Sequence, residues 1–286
     1  AGRDYKLVIE YIQQTAVARM KLELGVKTTL TEKDIVKQTK DCDYIIFVGG
    51  ISPALEGEEM KVNLPGFRGG DRTSIELPAS QRSLVKALSD AGKKIIFVNC
   101  SGGAVALTPE AERCDGMLQA WYAGEQGGTA VADVLFGDYN PSGKLPVTFY
   151  KDDSQLPDFL DYTMTGRTYR YFRGEPLFPF GHGLSYTTFE KKLNRVGPYK
   201  DGCYVEVEVK NTGSRDGEEV IQVYLKKPSD TAGPVKTLRS YQRVSLKAGE
   251  MRTIAINLEG DQLLWWDEAS NTMQPLTPGE YEVEIK

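Results

Sequence analysis

The 286 residues are 40% hydrophobic and 26% charged, a composition that excludes disordered and collagen-like classes and is long enough for two ordinary domains. A formal net charge of −5 and a pI near 5.2, with no basic block, remove the electrostatic drive toward nucleic acid or an anionic membrane and leave a neutral or small-molecule ligand as the expected partner. No apolar run approaches the roughly 18 residues that span a bilayer. Cys42, Cys100, Cys114 and Cys203 lack the spacing of a metal cage, and His182 is the single histidine, so no metal site is expected.

In chain order, Tyr5, Leu7, Ile9 and Tyr11, then Met20, Leu22 and Leu24, alternate with polar residues and predict an antiparallel hairpin over residues 4–25. Two strands are not stable alone, so their partners are expected elsewhere. From Thr31 the period changes. Thr31 is placed to cap a helix running to Lys40, and Tyr44-Ile45-Ile46-Phe47-Val48 predicts a buried strand ending at Gly49-Gly50. Leu84, Val85 and Leu88 share a helical face before Gly92, followed by a strand over Ile95–Val98. Thr108-Pro109 opens a short helix, Met117–Tyr122 is a third strand, and Glu125–Phe136 is a helix closed by Gly137. Alternating strands and helices imply a mainly parallel sheet covered on both faces.

Residues 138–189 are rich in Pro, Gly and aromatics; Lys144–Phe149 is expected to be a strand and the rest a long connection. From Cys203 the pattern is all β: Val205, Val207 and Val209 alternate, Asn211-Thr212-Gly213 turns, and strands follow over Val220–Leu225, Lys236–Leu246, Arg252–Leu258 and Tyr281–Ile285. This describes an immunoglobulin-like or fibronectin-type sandwich.

Three stretches carry a resemblance. They are Trp121-Tyr122-Ala123-Gly124-Glu125-Gln126-Gly127-Gly128 through Asp138-Tyr139-Asn140-Pro141-Ser142-Gly143-Lys144-Leu145-Pro146; Arg170-Tyr171-Phe172 with Pro179-Phe180-Gly181-His182-Gly183-Leu184-Ser185-Tyr186; and Asn211-Thr212-Gly213 to Gln222-Val223-Tyr224, with Leu246-Lys247-Ala248-Gly249-Glu250. In order and spacing they resemble glycoside hydrolase family 3, of the β-glucosidase and β-xylosidase kind, over residues 33–286. The resemblance implies a three-layer, mainly parallel α/β sandwich, present in part, followed by a fibronectin type III-like β-sandwich. The implied division is 1–27, the end of a PA14-like insert; 28–150, the second part of the α/β domain; 151–198, a connecting segment; and 199–286, the fibronectin type III-like domain. Family members of this layout carry an aspartate nucleophile on an amino-terminal (β/α)8 barrel, which is expected to lie outside this chain.

The loop after the Tyr44–Val48 strand contains Glu56, Glu58 and Glu59, three carboxylates where open α/β sheets bind ligands. Clustering raises the pKa of at least one carboxyl, as a general acid near neutral pH requires. By the resemblance, Glu56-Gly57-Glu58 matches the family's acid/base pattern, so Glu58 is the expected acid/base, with Glu56 and Glu59 as alternates. The match departs from the family in the residues Met60–Gly70 that intervene before Asp71-Arg72. Asp71 and Arg72 either position the loop and touch sugar hydroxyls or form a surface ion pair. Cys100-Ser101-Gly102-Gly103 with His182 lacks a Gly-x-Ser-x-Gly elbow and is expected to be turn chemistry, and Trp121, Trp265 and Trp266 are either stacking platforms or core anchors. The implied activity is removal of terminal β-linked xylose, or glucose, from oligosaccharides with retention, by a periplasmic or secreted enzyme. The isolated chain is expected to be inactive; the alternative is a non-catalytic structural or carbohydrate-binding module.

Overall fold

A computed structural model describes residues 29–57 and 59–286; the hairpin expected over residues 4–25 lies outside the described residues. Helix α1 (Glu32–Gln38) begins at a capping box, in which the Thr31 hydroxyl accepts from Asp34 N and the Asp34 carboxylate accepts from Thr31 N at 2.9 Å. It stops short of the expected Lys40 at its C-cap Thr39, whose hydroxyl donates to the Ile35 carbonyl at 3.0 Å. Strand β1 (Tyr44–Gly50) follows, then three two-residue strands, β2 (Asn63–Leu64), β3 (Phe67–Arg68) and β4 (Asp71–Arg72). Helix α2 (Ala79–Asp90), strand β5 (Lys94–Cys100), helix α3 (Thr108–Arg113), strand β6 (Gly116–Gln119) and helix α4 (Gly127–Phe136) complete the α/β unit. Gly137 ends α4 in the left-handed conformation expected of it. Thr108 does not cap α3; its hydroxyl donates instead to the Lys151 carbonyl at 2.8 Å.

The sheet is parallel in the order β1-β5-β6. Val85 and Leu88 of α2 are buried in one cluster with Ile95 and Phe97, where the rings of Phe47 and Phe97 stack with centroids 5.3 Å apart. The expectation of a strand buried on both faces holds for only one face of β1. Ile45 and Phe47 pack inward, while Tyr44, Ile46 and Val48 are 58%, 48% and 67% exposed. An unbroken apolar run is what burial on two sides demands, and among the described residues only one side of this strand receives a cover.

Lys144–Phe149 is not a strand, contrary to expectation. Leu145 exchanges backbone hydrogen bonds with His182 and Gly181, and Phe149 with Phe178, but Pro146 between them has no N–H to donate, and only the Phe149–Phe178 bridge forms. A short helix α5 (Thr168–Tyr171) precedes the sandwich. One of its sheets joins β11 (Met251–Leu258), β8 (Gly202–Asn211) and β7 (Phe189–Tyr199); the other joins β10 (Thr237–Leu246), β9 (Gly217–Lys226) and β14 (Glu282–Ile285). A hairpin of β12 (Leu264–Asp267) and β13 (Thr272–Pro275) packs Trp265 into the same core, with fully buried Val205, Val207, Val209, Ile221, Val223 and Leu225. Strand β7 falls within the segment expected to be a connection to residue 198. Its alternation is masked by charged residues and by a bulge between Leu193 and Arg195.

The two units meet through buried charge. Glu219 of β9 accepts from Lys144 at 3.0 Å and Lys191 at 2.7 Å, while Asn140 Nδ2 donates to the Asp216 carbonyl at 3.0 Å and Arg215 to the Gly137 carbonyl at 2.7 Å. No helix among the described residues is long and apolar enough to cross a membrane. Replacing Glu219 by Gln strips two partly buried ammonium groups of their counter-charge, so urea unfolding should show a loss of about 3 kcal/mol. A loss below about 1 kcal/mol would mean that the junction is held by its backbone contacts instead.

Candidate active site at the carboxyl ends of the parallel strands

Strand β1 passes into its loop at Gly50, whose φ of +121° suits glycine and where a Cβ would stand 2.1 Å from the Cys100 carbonyl oxygen. The close approach lets Ile51 N donate to that oxygen at 2.9 Å, extending the β1–β5 ladder one residue into the loop. Gln81 of α2 grips the same glycine twice: its Nε2 donates to Gly50 O at 2.7 Å, and its Oε1 accepts from Gly50 N at 2.8 Å. Tyr122, just after β6, donates its hydroxyl to Ile51 O at 2.7 Å and lays its ring against Gly102, where a Cβ would come within 2.7 Å of it. The ends of all three parallel strands therefore converge on Gly50 and Ile51.

The chain then makes one turn, in which Ser52 O accepts from Leu55 N at 2.9 Å and from Glu56 N at 3.3 Å. The residues that interrupt the expected spacing, Met60–Gly70, hold β2 and β3, which continue into β4 as an antiparallel meander, and Phe67 is buried in the α/β core. Gly70, at φ +96°, returns so close to Gly57 that a Cβ on it would lie 2.0 Å from the Gly57 carbonyl oxygen. The insertion thus leaves and re-enters the loop at one place. It brings Asp71-Arg72 back beside Glu56-Gly57.

Arg72 turns to backbone carbonyls and not to the exposed Asp71. Its Nη1 donates to Ala104 O at 2.9 Å and its Nε to Ser74 O at 3.3 Å, while buried Nη2 has no partner among the described residues. Burial lowers the pKa of this guanidinium, opposed by the nearby Glu56, Asp153 and Tyr122. Of the expected site residues, Glu56 is half-buried and faces that charge. Glu59 is exposed with φ +54°, and Glu58 lies outside the described residues. Asp153 was not singled out by its sequence context. Its carboxylate accepts from Ser74 Oγ and from Ile75 N, both at 2.7 Å, just after Arg72. Gln81 likewise carries no local signal, whereas Tyr122 lies within the Trp121–Gly128 motif.

The other candidates resolve as structure. Ser101 Oγ donates to Gly103 O at 2.8 Å and receives Asn99 Nδ2 at 3.0 Å. The His182 ring stacks on Phe178 at 5.1 Å, and burial lowers its pKa, helped by Lys144 and Lys286. No hydrogen bond joins His182 to Ser101 among the described residues. Trp265 is a core anchor that donates to Asp230 at 2.7 Å beneath the Arg239 guanidinium, and Trp266 is half-exposed on the sandwich. Trp121 takes a φ of +57°, rare for a bulky side chain, and sets its ring edge-on to Phe149 at 6.2 Å.

Residues 6–186 match the family model of the glycosyl hydrolase family 3 C-terminal domain, and residues 219–286 match that of the fibronectin type III-like domain. The chain belongs to glycosyl hydrolase family 3. Among the family's members it is similar to a xylan 1,4-beta-xylosidase of Xylanibacter ruminicola, 54% identical over 99% of this chain and 33% of the relative. It is also similar to a periplasmic beta-glucosidase of Salmonella typhimurium, 37% identical over 88% of this chain and 34% of the relative. The structure of a beta-glucosidase from Kluyveromyces marxianus superposes with a TM-score of 0.77 at 32% identity, over 91% of this chain and 32% of that one. This family 3 chain thus spans about a third of the length of these relatives.

Two substitutions test how the loop is held. Gly50→Ala must either move Cys100 or abandon φ +121°, and a loss of about 2–4 kcal/mol is expected on urea unfolding. Tyr122→Phe removes one hydrogen bond, worth about 1 kcal/mol. Hydrogen exchange should report faster opening at Ile51–Glu56, with the β8–β11 amides unchanged.

Proposed function

We propose that this chain supplies the general acid/base of a retaining, exo-acting β-glycosidase that removes terminal β-linked xylose, with glucose as the alternative sugar, from oligosaccharides. The observation that carries the proposal is the loop itself: a glutamate-rich turn fixed to three strand ends, with Asp71-Arg72 folded back beside it despite the inserted meander. The preference for xylose rests on the 54% identity to the Xylanibacter xylosidase. The chemistry needs no metal or organic cofactor.

Glu58 is assigned the acid/base role, with Glu56 and Glu59 as alternates, and Arg72 the role of holding the loop through Ala104 and Ser74. In the first half-reaction the carboxyl proton passes to the glycosidic oxygen as that bond breaks, while a second carboxylate, roughly 5 Å away, attacks the anomeric carbon. In the second, the deprotonated acid/base takes a proton from water as the water oxygen attacks the anomeric carbon and displaces the second carboxylate, which restores the β configuration. The attacking carboxylate is assigned to an amino-terminal (β/α)8 barrel of a longer polypeptide, so these residues alone should not turn over substrate. A periplasmic or secreted enzyme fits the Salmonella relative, and the substrate is the one small-molecule partner the proposal requires.

The test compares the full-length polypeptide with its Glu56→Ala, Glu58→Ala and Glu59→Ala variants on aryl β-xyloside and aryl β-glucoside, with and without azide. An aryl leaving group needs little protonation, so loss of the acid/base blocks mainly the second half-reaction. Glu58→Ala alone should lose about 10²–10⁴-fold in turnover and recover with azide, giving a β-glycosyl azide. Collapse of Glu56→Ala or Glu59→Ala instead would move the assignment along the loop. Full activity in all three would remove this loop from the reaction.

A further inference from the structure

Outside the site, one segment is built firmly and yet presents its apolar side chains to solvent. Between Tyr150 and Thr168 the chain closes on itself, with Thr168 N donating to the Tyr150 hydroxyl at 2.9 Å. Arg167 ties the interior together by donating to the carbonyls of Thr163 at 3.0 Å, Asp158 at 3.1 Å and Asp161. Asp158 and Asp161 accept from Leu160 N at 2.8 Å and Thr163 N at 2.9 Å. With so much of its backbone satisfied, the loop has a definite shape. Even so, Phe159, Leu160 and Tyr162, all within four residues of chain, are 87%, 77% and 86% exposed, and large apolar side chains concentrated in this way on a surface mark an interaction site.

The position of the loop identifies its partner. Its base is Asp153, which is hydrogen-bonded to Ser74 and Ile75 at the exit of the glutamate-bearing loop, and Leu64 of β2, on the same loop, is also largely exposed. Retaining chemistry places the second carboxylate about 5 Å from the acid/base, so whatever carries it must press against this face. Relatives such as the Xylanibacter xylosidase are about three times longer than this chain, which covers 33% of that protein. A second copy seated on the patch would compete for the face that the second carboxylate has to reach. We propose that the loop of residues 150–168, through Phe159, Leu160 and Tyr162, is the docking surface for the nucleophile-bearing domain of the same polypeptide and fixes the distance between the two carboxylates. This rests on the function proposed above.

The test places photoreactive benzoylphenylalanine at position 159, and separately at 162, in the full-length polypeptide, followed by irradiation and peptide mapping. The expected result is a monomer-sized product cross-linked to the polypeptide preceding residue 1 of this chain. A dimer-sized product, cross-links confined to residues 29–286, or no cross-link at either position would overturn the proposal. Cross-linking needs no turnover and can be scored equally in the Glu58→Ala background. A cross-link to the preceding domain together with full activity of all three glutamate variants would retain the interface and discard the acid/base assignment; azide rescue of Glu58→Ala without any cross-link would do the reverse.

Discussion

The backbone of Gly50 and Ile51 is where the three parallel strands are joined across their carboxyl ends, and the geometry of the whole glutamate-bearing loop descends from that point. Gly50 sits in a conformation and a space that admit no side chain, so β1 and β5 stay in register into the loop. Gln81 brings in α2, and Tyr122 brings in the end of β6. Each hydrogen bond is worth only about 1 kcal/mol net. Four of them on two adjacent residues, made to three different elements, define a direction that none could define alone. The carboxyl group proposed to protonate a glycosidic oxygen would need such a foundation.

The far end of the loop is held by different means. Arg72 reaches carbonyl oxygens instead of a carboxylate, and burial of its guanidinium is tolerable because acceptors and nearby negative groups offset the lost hydration. Asp153 fastens Ser74 and Ile75 just beyond it. Between these anchors the meander β2-β3-β4 can be long without loosening the loop, because it starts and ends at the Gly57–Gly70 approach. Below the α/β unit, the sandwich adds its own core and a buried Lys144–Glu219–Lys191 cluster, so the connecting segment is held at both of its ends.

Much of this was legible in the sequence, because regular period leaves a trace where one face is buried. Val205, Val207 and Val209, the Leu84–Leu88 helix face and Gly137 each declared their element. What escaped is equally physical. Strand β7 carries a bulge and four charged side chains among its eleven residues, so its period is broken. Lys144–Phe149 has the apolar content of a strand, but Pro146 prevents a full ladder. The apolar run of β1 announced two buried faces, of which the described residues bury one. At the site, the glutamates and Asp71-Arg72 were visible as motif residues. Gln81 and Asp153 were not, because they act across 31 and 79 positions of sequence, and Gln81 binds backbone that any residue could supply.

Central to this account is a division of labour: the acid/base comes from the loop of residues 51–77 and the nucleophile from outside the chain. The most direct measurement is to trap the glycosyl-enzyme of the full-length polypeptide with a 2-fluoro β-xyloside, whose fluorine slows hydrolysis of the ester, and to map the labelled carboxylate by mass spectrometry. The account predicts a single label on a carboxylate that precedes residue 1. A label on Glu56, Glu58, Glu59 or any other carboxylate of these 286 residues would contradict it.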